Sequence, residues 1–511
     1  MTGDERKKQR VVIAGGGTAG WMTAALLART LGRVLDITLI ESDQIGTIGV
    51  GEATIPPLLT YNQLAEIDEA TFMSKVQATF KLGIEFVNWR DVDHRYIHSF
   101  GITGKDHWTA GFQHFWLKGL AEGHARDYGD YCLELRAAEE NRFAHLPKLG
   151  LNYAYHVDAT LYAAFLRQRA EADGVRRVEG KIDHVTTHPQ SGDIESVTLA
   201  DESVHAGDLF IDCTGFRGLL IDQALHVGFE DWSHWLLCDS ALAVQTESTE
   251  APIPYTRSTA HGAGWQWRIP LQHRVGNGLV FSSRYMSVDE ARETLLANLD
   301  GPTITEPFSL RFRTGTRHQH WHKNCVAIGL SAAFVEPLES TAIHLIQRSI
   351  TRLCRMFPLD GVRQSDVDEF NAQTRFELEN IRDFIILHYK VTNRRDTRFW
   401  RYCQDMEVPE DLAHRIRLFR ETGQVFRKQD ELFAENSWIQ VMLGQGLMPE
   451  GYHPIVDAMQ GQELQAFLDH VADNVDRTMR GLPVHADYIR QYCPASPPKD
   501  KAMAKPVAGH A

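Results

Sequence analysis

The sequence has little basic charge and no long hydrophobic run. Without a stretch of about 18 apolar residues, it predicts no membrane-spanning helix, and its polar start carries no signal-peptide core. Lysine and arginine number 53 against 67 aspartates and glutamates, a formal net charge of −14. Such a balance repels nucleic-acid backbones and anionic lipids. We therefore expect a cytoplasmic protein with neither a nucleic-acid nor a membrane partner.

Cysteine is scarce and lacks the spacing of a disulfide or zinc framework. The seven cysteines are spread from Cys132 to Cys493 without a CxxC pair, so we expect reduced, mostly buried thiols. Alternation places His318, His320 and His322 on one face of a predicted strand, as zinc ligands can be. No carboxylate accompanies these histidines, and we expect no metal site.

A glycine-rich turn follows the first predicted strand. The apolar, β-branched residues 11–14 predict that strand, and the pattern from residue 18 onward predicts a helix. Between them, GxGxxG glycines let the backbone approach a pyrophosphate and let the helix pack against the strand. The predicted cofactor contacts of this turn are Gly15, Gly17, Thr18, Ala19 and Gly20.

An acidic residue ends the second predicted strand. Residues 35–40 form that strand, and Glu41 follows it. An acid about 20 residues beyond the last glycine of GxGxxG, at the carboxyl end of a strand, suits the hydroxyls of an adenosine ribose. Strand, turn, helix and acid together favour a dinucleotide site over a glycine turn that binds no nucleotide.

Two later segments distinguish a flavin from a nicotinamide cofactor. Residues 209–215 and 325–331 each read as a buried strand that runs into a glycine turn. Both resemble the additional FAD-contacting strands of two-dinucleotide-fold and hydroxylase-type flavoproteins, which an NAD enzyme does not need. We therefore expect one FAD and no nicotinamide site. Further predicted cofactor contacts are Gly51, Ala53 and Thr54 in the glycine-punctuated loop 47–56, and Gly329.

A pair of tryptophans precedes a proline. Trp265 and Trp267 alternate along the extended segment 264–270, so they share one face, and Pro270 ends the segment. Such a pair forms a rigid aromatic wall, here called the tryptophan wall, that can separate two compartments. Taken alone, two ordinary core tryptophans are the better explanation.

With GxGxxG, this WxWxIP motif resembles the flavin-dependent halogenases of the tryptophan-halogenase family. Three further segments match: Gly-Val-Gly-Glu-Ala-Thr at 49–54, Phe-Lys-Leu-Gly at 80–83 and Glu-Pro-Leu-Glu-Ser-Thr at 336–341. The similarity extends from residue 10 to residue 446. It implies an FADH2-dependent enzyme that uses O2 and chloride or bromide to halogenate an electron-rich aromatic such as indole. It also implies a separate NADH-dependent flavin reductase as partner.

The resemblance implies two catalytic residues. Lys81 lies between apolar neighbours, where its ammonium is desolvated unless an acid is near. In the family this lysine meets hypohalous acid that has passed the tryptophan wall, either as a hydrogen-bond donor or as a haloamine. Glu339 resembles the acid that assists the lysine or removes the proton from the arenium ion. For Lys81 the alternative is an ordinary lysine whose head reaches solvent.

The halide site is assigned by the same resemblance. Ser340 and Thr341 precede a predicted helix that begins near Ala342, and either side chain could cap it. Exposed amides at a helix start attract anions. The family binds halide at the equivalent of Thr341 and the next residue, commonly glycine. Ala342 keeps the amide but adds a methyl group that can reshape the pocket.

Substrate recognition departs from the tryptophan-specific members. His98 and Phe100 match the family's His-x-Phe, which flanks the aromatic substrate, with Trp265 and Trp267 beside it. Residues 420–438 lack the complete set of tyrosines, glutamate and Phe-Trp pair that holds an amino acid's charged groups. We expect an indole or another electron-rich arene. The native substrate, regiochemistry, halide preference and oligomeric state, including a homodimer, stay open.

The expected fold class is α/β. Residues 8–350 are predicted to form an FAD-binding, hydroxylase-like domain with mixed sheets and interleaved substrate-binding segments. Charge-rich helical periodicity predicts a mainly helical subdomain over residues 351–493. Proline, alanine and lysine with few large apolar groups predict a disordered tail over residues 494–511.

Two other functions compete with a halogenase. A flavin-dependent aromatic monooxygenase would hydroxylate the arene, and the tryptophan wall together with Lys81 argues against it. A non-catalytic FAD-binding protein would have no use for Lys81 and Glu339 at these positions.

Overall fold

A computed structural model describes residues 8–45, 51–146, 150–428 and 430–496. Residues 47–50 of the predicted cofactor loop 47–56, and residues 497–511 of the predicted tail, lie outside these ranges. Within them, no helix combines the length and the apolar composition that a membrane crossing requires.

The strands within the described residues are short to medium in length. They are β1 (Gln9–Ala14), β2 (Leu35–Glu41), β3 (Gly51–Ala53), β4 (Thr79–Lys81), β5 (Gly83–Val87), β6 (Arg95–Ser99), β7 (Ala154–Asp158), β8 (Arg176–Glu179), β9 (Ile182–Thr187), β10 (Ile194–Leu199), β11 (Val204–Ala206), β12 (Leu209–Asp212), β13 (Phe229–Asp231), β14 (Ser240–Thr246), β15 (Tyr255–His261), β16 (Gly264–Pro270), β17 (Val275–Phe281), β18 (Phe308–Arg311), β19 (Gly315–Arg317), β20 (Trp321–His322), β21 (Cys325–Ala327) and β22 (Ala333–Phe334).

Helices alternate with these strands and then dominate. They are α1 (Thr18–Leu31), α2 (Leu58–Leu64), α3 (Glu69–Lys75), α4 (Phe112–Ala121), α5 (Leu133–Glu139), α6 (Ala159–Ala172), α7 (Val288–Ala297), α8 (Ala342–Arg355), α9 (Gln364–Lys390), α10 (Arg398–Asp405), α11 (Glu410–Thr422), α12 (Glu435–Gly444), α13 (Gly461–Arg480) and α14 (His485–Tyr492). The predicted mixed α/β class is confirmed. Because α8 runs across residue 350, the domain limits stay a prediction.

The first sheet carries the glycine turn. Its strand order is β20-β21-β12-β1-β2-β8. β1 pairs in parallel with β2 and β12, and β12 pairs in parallel with β21. The apolar ends of β1 and β12 are buried, as expected for parallel strands covered on both faces. The turns after β1, β12 and β21 therefore meet at one edge of the sheet.

The second sheet carries the tryptophan wall. Its order is β18-β14-β17-β16-β15-β5-β6, with β15 and β5 parallel and the other neighbours antiparallel. The register sets Trp265 opposite Val280 and Trp267 opposite Gly278. Both tryptophans thus lie on an interior strand. One core cluster joins this sheet to α9, and it includes Trp89, Trp265 and Phe384.

A three-stranded sheet of order β3-β7-β4 brings two predicted site segments together. β7 pairs antiparallel with both neighbours, so Ala53 and Lys81 lie on either side of it. Two further three-stranded sheets have the orders β11-β10-β9 and β13-β19-β22.

Helix α14 packs behind the strand that carries Lys81. The ring of Phe80 on β4 stacks on Phe143 at 4.1 Å and lies 5.7 Å from Tyr488 of α14. The backbone N–H of Phe80 donates to Nε2 of His485, also on α14, at 3.3 Å. The far end of the described chain thus supports β4 from behind.

Candidate active site

The turn after β1 has the backbone that a phosphate site requires. Gly15 has a φ of +107°, and a Cβ there would lie 2.3 Å from the Cys213 carbonyl oxygen. A Cβ at Gly20 would lie 1.8 Å from the Gly15 carbonyl oxygen, whereas one at Gly17 would meet open space. The first and last glycines therefore allow close packing, and Gly17 leaves room for a ligand phosphate at the start of α1.

Glu41 lies beside this turn at the end of β2. A Cβ at Gly16 would be 1.6 Å from Glu41 Oε2, so the carboxylate sits directly over the glycines. Trp21 Nε1 donates to Oε2 at 3.1 Å, and the Arg177 guanidinium donates to Oε1. Glu41, the predicted ribose ligand, is thus already paired with the Arg177 cation. The spacing of residues along the sequence could not reveal this ion pair.

The remaining predicted cofactor contacts fall into two groups. Gly329, at φ +78°, is so close to α1 that a Cβ there would lie 2.9 Å from Ala19 Cβ. Gly51 and Ala53 on β3 instead pack against Ile269 of β16. The first group adjoins the glycine turn, and the second lies beside the tryptophan wall.

Lys81 is fully buried at the end of β4. Its Nζ donates to Ser340 Oγ at 2.7 Å and to the Thr54 carbonyl at 3.1 Å, and lies 5.3 Å from the centre of the Phe100 ring. Burial lowers the pKa of Lys81 to about 7, although the Glu339 carboxylate acts in the opposite direction. The lysine therefore does not reach solvent, and both its charge states are populated near neutral pH.

Glu339 is buried between two histidines. His98 Nδ1 lies 3.0 Å from Oε2, and His388 Nε2 lies 2.8 Å from Oε1. Burial alone would raise the pKa of Glu339, but His98 and His388 outweigh it and hold that pKa well below its ordinary value. Glu339 is therefore a carboxylate at neutral pH.

His388 links helix α9 to Glu339. Its Nδ1 is 2.9 Å from the Phe384 carbonyl, which can only accept, so Nδ1 carries a hydrogen. Its Nε2 lies 2.8 Å from Glu339 Oε1. The ring is therefore held between the backbone of α9 and the buried carboxylate.

Sequence reasoning missed two of these residues. Ser340 has a left-handed φ of +59°, and its hydroxyl binds Lys81 rather than capping a helix. Ser340 belongs to the family motif at 336–341, but its position before a helix predicts a cap rather than a contact with Lys81. For His388 the helical spacing of its apolar neighbours predicts only that it lies on a buried face of a helix. No local pattern in the sequence links His388 to Glu339.

Thr341 stands at the N-cap of α8, but its side chain makes no capping bond there, contrary to expectation. Its Oγ1 is buried and has no hydrogen-bond partner among the described residues. Ala342 is the first residue of this 14-residue helix. An unpaired hydroxyl beside free amides at a helix start fits a small anion.

The tryptophan wall is built as two adjacent rings. The ring centres of Trp265 and Trp267 lie 6.2 Å apart at 60°. Trp267 lies over β17, because a Cβ at Gly278 would be 2.0 Å from its ring. Trp265 Nε1 donates to Glu336 Oε2 at 2.9 Å.

His98 and Phe100 both reach the Lys81 and Glu339 cluster. β6 ends at Ser99, one residue before Phe100. The ring of His98 lies 5.6 Å from Phe384, and its Nε2 is buried with no hydrogen-bond partner within the described ranges. The two rings therefore flank the Lys81–Glu339 cluster, and His98 offers a free nitrogen.

The 420–438 region is held by an internal ion pair. Arg415 Nη2 contacts Glu431 Oε1 at 2.7 Å, and the guanidinium lies 4.0 Å from the centre of the Trp438 ring. Phe433 stacks on Phe384 at 3.8 Å. The buried acid of this region is thus already ion-paired with an arginine of the protein through Oε1, and its Oε2 has no hydrogen-bond partner among the described residues.

The three histidines before β21 do not converge. His320 Nε2 pairs with Thr316 Oγ1 at 2.8 Å, and His322 Nδ1 pairs with Gln319 at 2.6 Å. His318 is exposed. Across the described part of the chain, no three His, Cys, Asp or Glu residues are grouped as metal ligands would be.

This chain, with its nucleotide-type sheet and its buried lysine–carboxylate cluster beside paired tryptophans, is a flavin-dependent halogenase; enzymes of that class act on an aromatic substrate with halide and a flavin reductase partner. The chain belongs to the tryptophan halogenase family, whose model matches residues 10–461.

Individual relatives agree with this assignment. Tryptophan 7-halogenase RebH of Lentzea aerocolonigenes is 35% identical over 95% of this chain and 99% of that protein. The solved structure of Xcc4156, a flavin-dependent halogenase from Xanthomonas campestris, has a TM-score of 0.95 at 61% identity, covering 96% of this chain and 100% of that one. BrvH, a flavin-dependent halogenase from Brevundimonas sp. BAL3, gives 0.91 at 45% identity, with coverages of 96% and 100%.

Proposed function

We propose that this chain is a cytoplasmic FAD-dependent halogenase whose substrate is a neutral, electron-rich arene such as indole. FADH2 comes from a separate NADH-dependent flavin reductase, and chloride or bromide is the halide. The observation that carries the proposal is the buried cluster of Lys81, Ser340 and Glu339 beside the rings of His98 and Phe100.

The flavin is assigned to the edge of the first sheet. Reduced FAD with oxygen supplies the oxidising equivalent that converts halide to hypohalous acid. The open space at Gly17 and the close approach of Gly329 to α1 support this assignment. The residues proposed to hold FAD are Gly15, Gly17, Thr18, Ala19, Gly20, Glu41, Gly51, Ala53, Thr54 and Gly329.

The halide is assigned to Thr341 and Ala342. The unpaired Thr341 hydroxyl and the first amides of α8 supply donors without a competing carboxylate hydrogen bond. The Ala342 methyl group reduces the space beside these donors relative to a glycine.

Lys81 is proposed as the group that receives hypohalous acid. Its amine is held by Ser340 and by the Thr54 carbonyl, so Nζ has a fixed position. As an ammonium it would polarise the acid by donating a hydrogen bond. As a free amine it would take the halogen from the oxygen of hypohalous acid, lose a proton and release water, and so become a haloamine. Since its pKa is about 7, the two roles predict opposite pH dependences.

Glu339 is proposed as the base that takes the proton from the arenium ion. A carboxylate is the form required, and the two histidines keep Glu339 in that form. His98 lies between Glu339 and the aromatic rings, with its Nε2 free among the described residues. The arene is assigned to the space beside His98, Phe100, Trp265 and Trp267.

The internal ion pair supports a substrate without charged groups. A tryptophan ammonium or carboxylate would need a buried partner, because desolvation without one costs several kcal/mol. Glu431 is instead paired with Arg415, which lies against Trp438. Indole needs no such partner, so we expect halogenation of indole at its electron-rich C3.

An in vitro competition tests the proposal. The enzyme is supplied with FAD, a flavin reductase, NADH and chloride or bromide, and offered indole, tryptophan and phenols, with products identified by mass spectrometry. Halogenated indole formed with a higher kcat/KM than halogenated tryptophan supports it. A hydroxylated product indicates a monooxygenase, and a preference for tryptophan shows that the 420–438 region binds charged groups after all.

A further inference from the structure

The buried acid Glu336 holds the indole of Trp265. Trp265 Nε1 donates to Glu336 Oε2 at 2.9 Å, and the Tyr389 hydroxyl donates to the same oxygen at 2.5 Å. Glu336 is 0% exposed, and its Oε1 has no hydrogen-bond partner within the part of the chain described. A carboxyl group is costly in such a place, and an apolar side chain would pack there without that cost.

The hydrogen bond between Trp265 and Glu336 joins the tryptophan wall to the turn that carries Glu339. Glu336 and Glu339 are three residues apart on one helical turn, and α9 holds both through adjacent residues. Tyr389 contacts Glu336, and His388 contacts Glu339. The orientation of Trp265 and the position of the proposed base therefore depend on the same two segments.

The two tryptophan neighbours of Trp265 contact its ring only at tilted angles. Its ring centre lies 6.4 Å from Trp89 and 6.2 Å from Trp267, at tilted angles of 51° and 60°. Neither contact is a close stack. The hydrogen bond to Glu336 is directional, because the indole N–H has one axis, and it selects one orientation of the ring.

We propose that Glu336 and Tyr389 are positioning residues that fix Trp265 and so keep the tryptophan wall closed between flavin and arene. This rests on the proposed role of the wall. If the ring turns, the oxidant escapes or is quenched before it reaches Lys81. The quantity that Glu336 controls is then the coupling ratio, the amount of halogenated product formed per reduced flavin oxidised.

Three variants separate the hydrogen bond from mere packing. Glu336→Leu removes the acceptor, Glu336→Gln keeps an oxygen for the indole N–H, and Tyr389→Phe removes the second donor. The matched control is Tyr162→Phe, since Tyr162 is also fully buried and its hydroxyl has no partner among the described residues. We expect the coupling ratio to fall roughly 5- to 20-fold in Glu336→Leu, in line with loss of one buried hydrogen bond.

Glu336→Gln should restore most of the coupling, and Tyr162→Phe should leave it unchanged. The coupling ratio is measured at saturating arene, because Trp265 also borders the space assigned to the arene and a turned ring changes the KM. Wild-type coupling in a folded Glu336→Leu protein would overturn the proposal. So would equal losses in the Leu and Gln variants.

A spectroscopic readout makes the test independent of catalysis. Protein labelled with 5-fluorotryptophan is measured by 19F NMR, and the Trp265 resonance is assigned from Trp265→Phe. We expect that resonance to shift or broaden in Glu336→Leu and Tyr389→Phe but to stay in place in Glu336→Gln and Tyr162→Phe. An unmoved resonance in both of the first two variants refutes the positioning role.

The two kinds of failure are distinguishable. If the wild type forms no halogenated product, the proposed function fails, whereas the 19F result still decides whether Glu336 orients Trp265. If Glu336→Leu does not fold, Tyr389→Phe carries the same test with a smaller change in packing.

Discussion

Replacing Lys81 by methionine should abolish halogenation and change how stability depends on pH. Methionine is similar in length and apolar, so it suits the fully buried site on β4. No amine then remains beside Ser340 and Glu339 to receive hypohalous acid. Oxidation of reduced flavin should continue, because that chemistry is assigned to the other side of the tryptophan wall.

The stability effect follows from the pKa of Lys81. That pKa is about 7 in the folded chain, against about 10.4 for an unfolded lysine. Between these values the unfolded state binds more protons, so Lys81 makes the wild type gain stability as pH rises. From pH 7 to pH 9 the gain is about 2 kcal/mol, and the variant lacks it.

For a chain of 511 residues, an unfolding entropy of about 2.1 cal/mol/K per residue converts this gain to about 2 °C. Thermal melts of both proteins at pH 7, 8 and 9 should show the difference in Tm, variant minus wild type, falling by about that amount. Lys118→Met is the matched control, since Lys118 is buried on α4 and bonds the Val456 and Met459 carbonyls. It should keep halogenation. Persistent halogenation in Lys81→Met, or a Tm difference that is flat with pH, would refute the reasoning.

Four further outcomes are expected. The purified chain should bind FAD but not oxidise NADH unaided, and rapid NADH turnover by the chain alone would contradict the single-cofactor assignment. Glu339→Gln should lower halogenation at least 100-fold with flavin oxidation unchanged, measured as product against oxygen consumed; similar rates would remove Glu339 from catalysis. Ala342→Gly should lower the KM for bromide more than for chloride, because the larger ion gains more from the added space, and identical changes would argue against a halide at this helix start. The halogenation rate should fall as pH rises through about 7 if the Lys81 ammonium is the active form and rise if the amine is; a flat profile, in single turnovers that exclude the reductase, would exclude both.

The elements around the glycine turn could be predicted from local sequence. The strand, glycine turn and helix at residues 9–31, and Glu41 at the end of β2, each have a short-range signal in spacing or residue type. The pairing of Glu41 with Arg177 could not be predicted, because Arg177 belongs to β8, and the sheet order alone brings β8 beside β2.

The polar network behind the site depended on tertiary packing. His388 and Tyr389 lie on α9, far along the chain from Glu336 and Glu339, and their helical periodicity indicates only that they face a core. Ser340 illustrates the other limit: serine before a helix usually caps it, but here a left-handed backbone turns its hydroxyl toward Lys81. Whether Ser340 caps the helix or binds Lys81 is decided by residues that are close in space but distant in sequence. A local sequence pattern does not include those residues.

The support of β4 by α14 has a practical consequence for protein engineering. Phe80, next to Lys81, rests on Tyr488 and on the hydrogen bond from its backbone to His485. A shortened protein that ends before His485 would lose the contacts of α14 with Phe80. Strand β4, which carries Lys81, would then lose this support from behind. C-terminal deletions should therefore keep every residue up to Cys493. Fusion partners are better joined after the last described residue, Ser496.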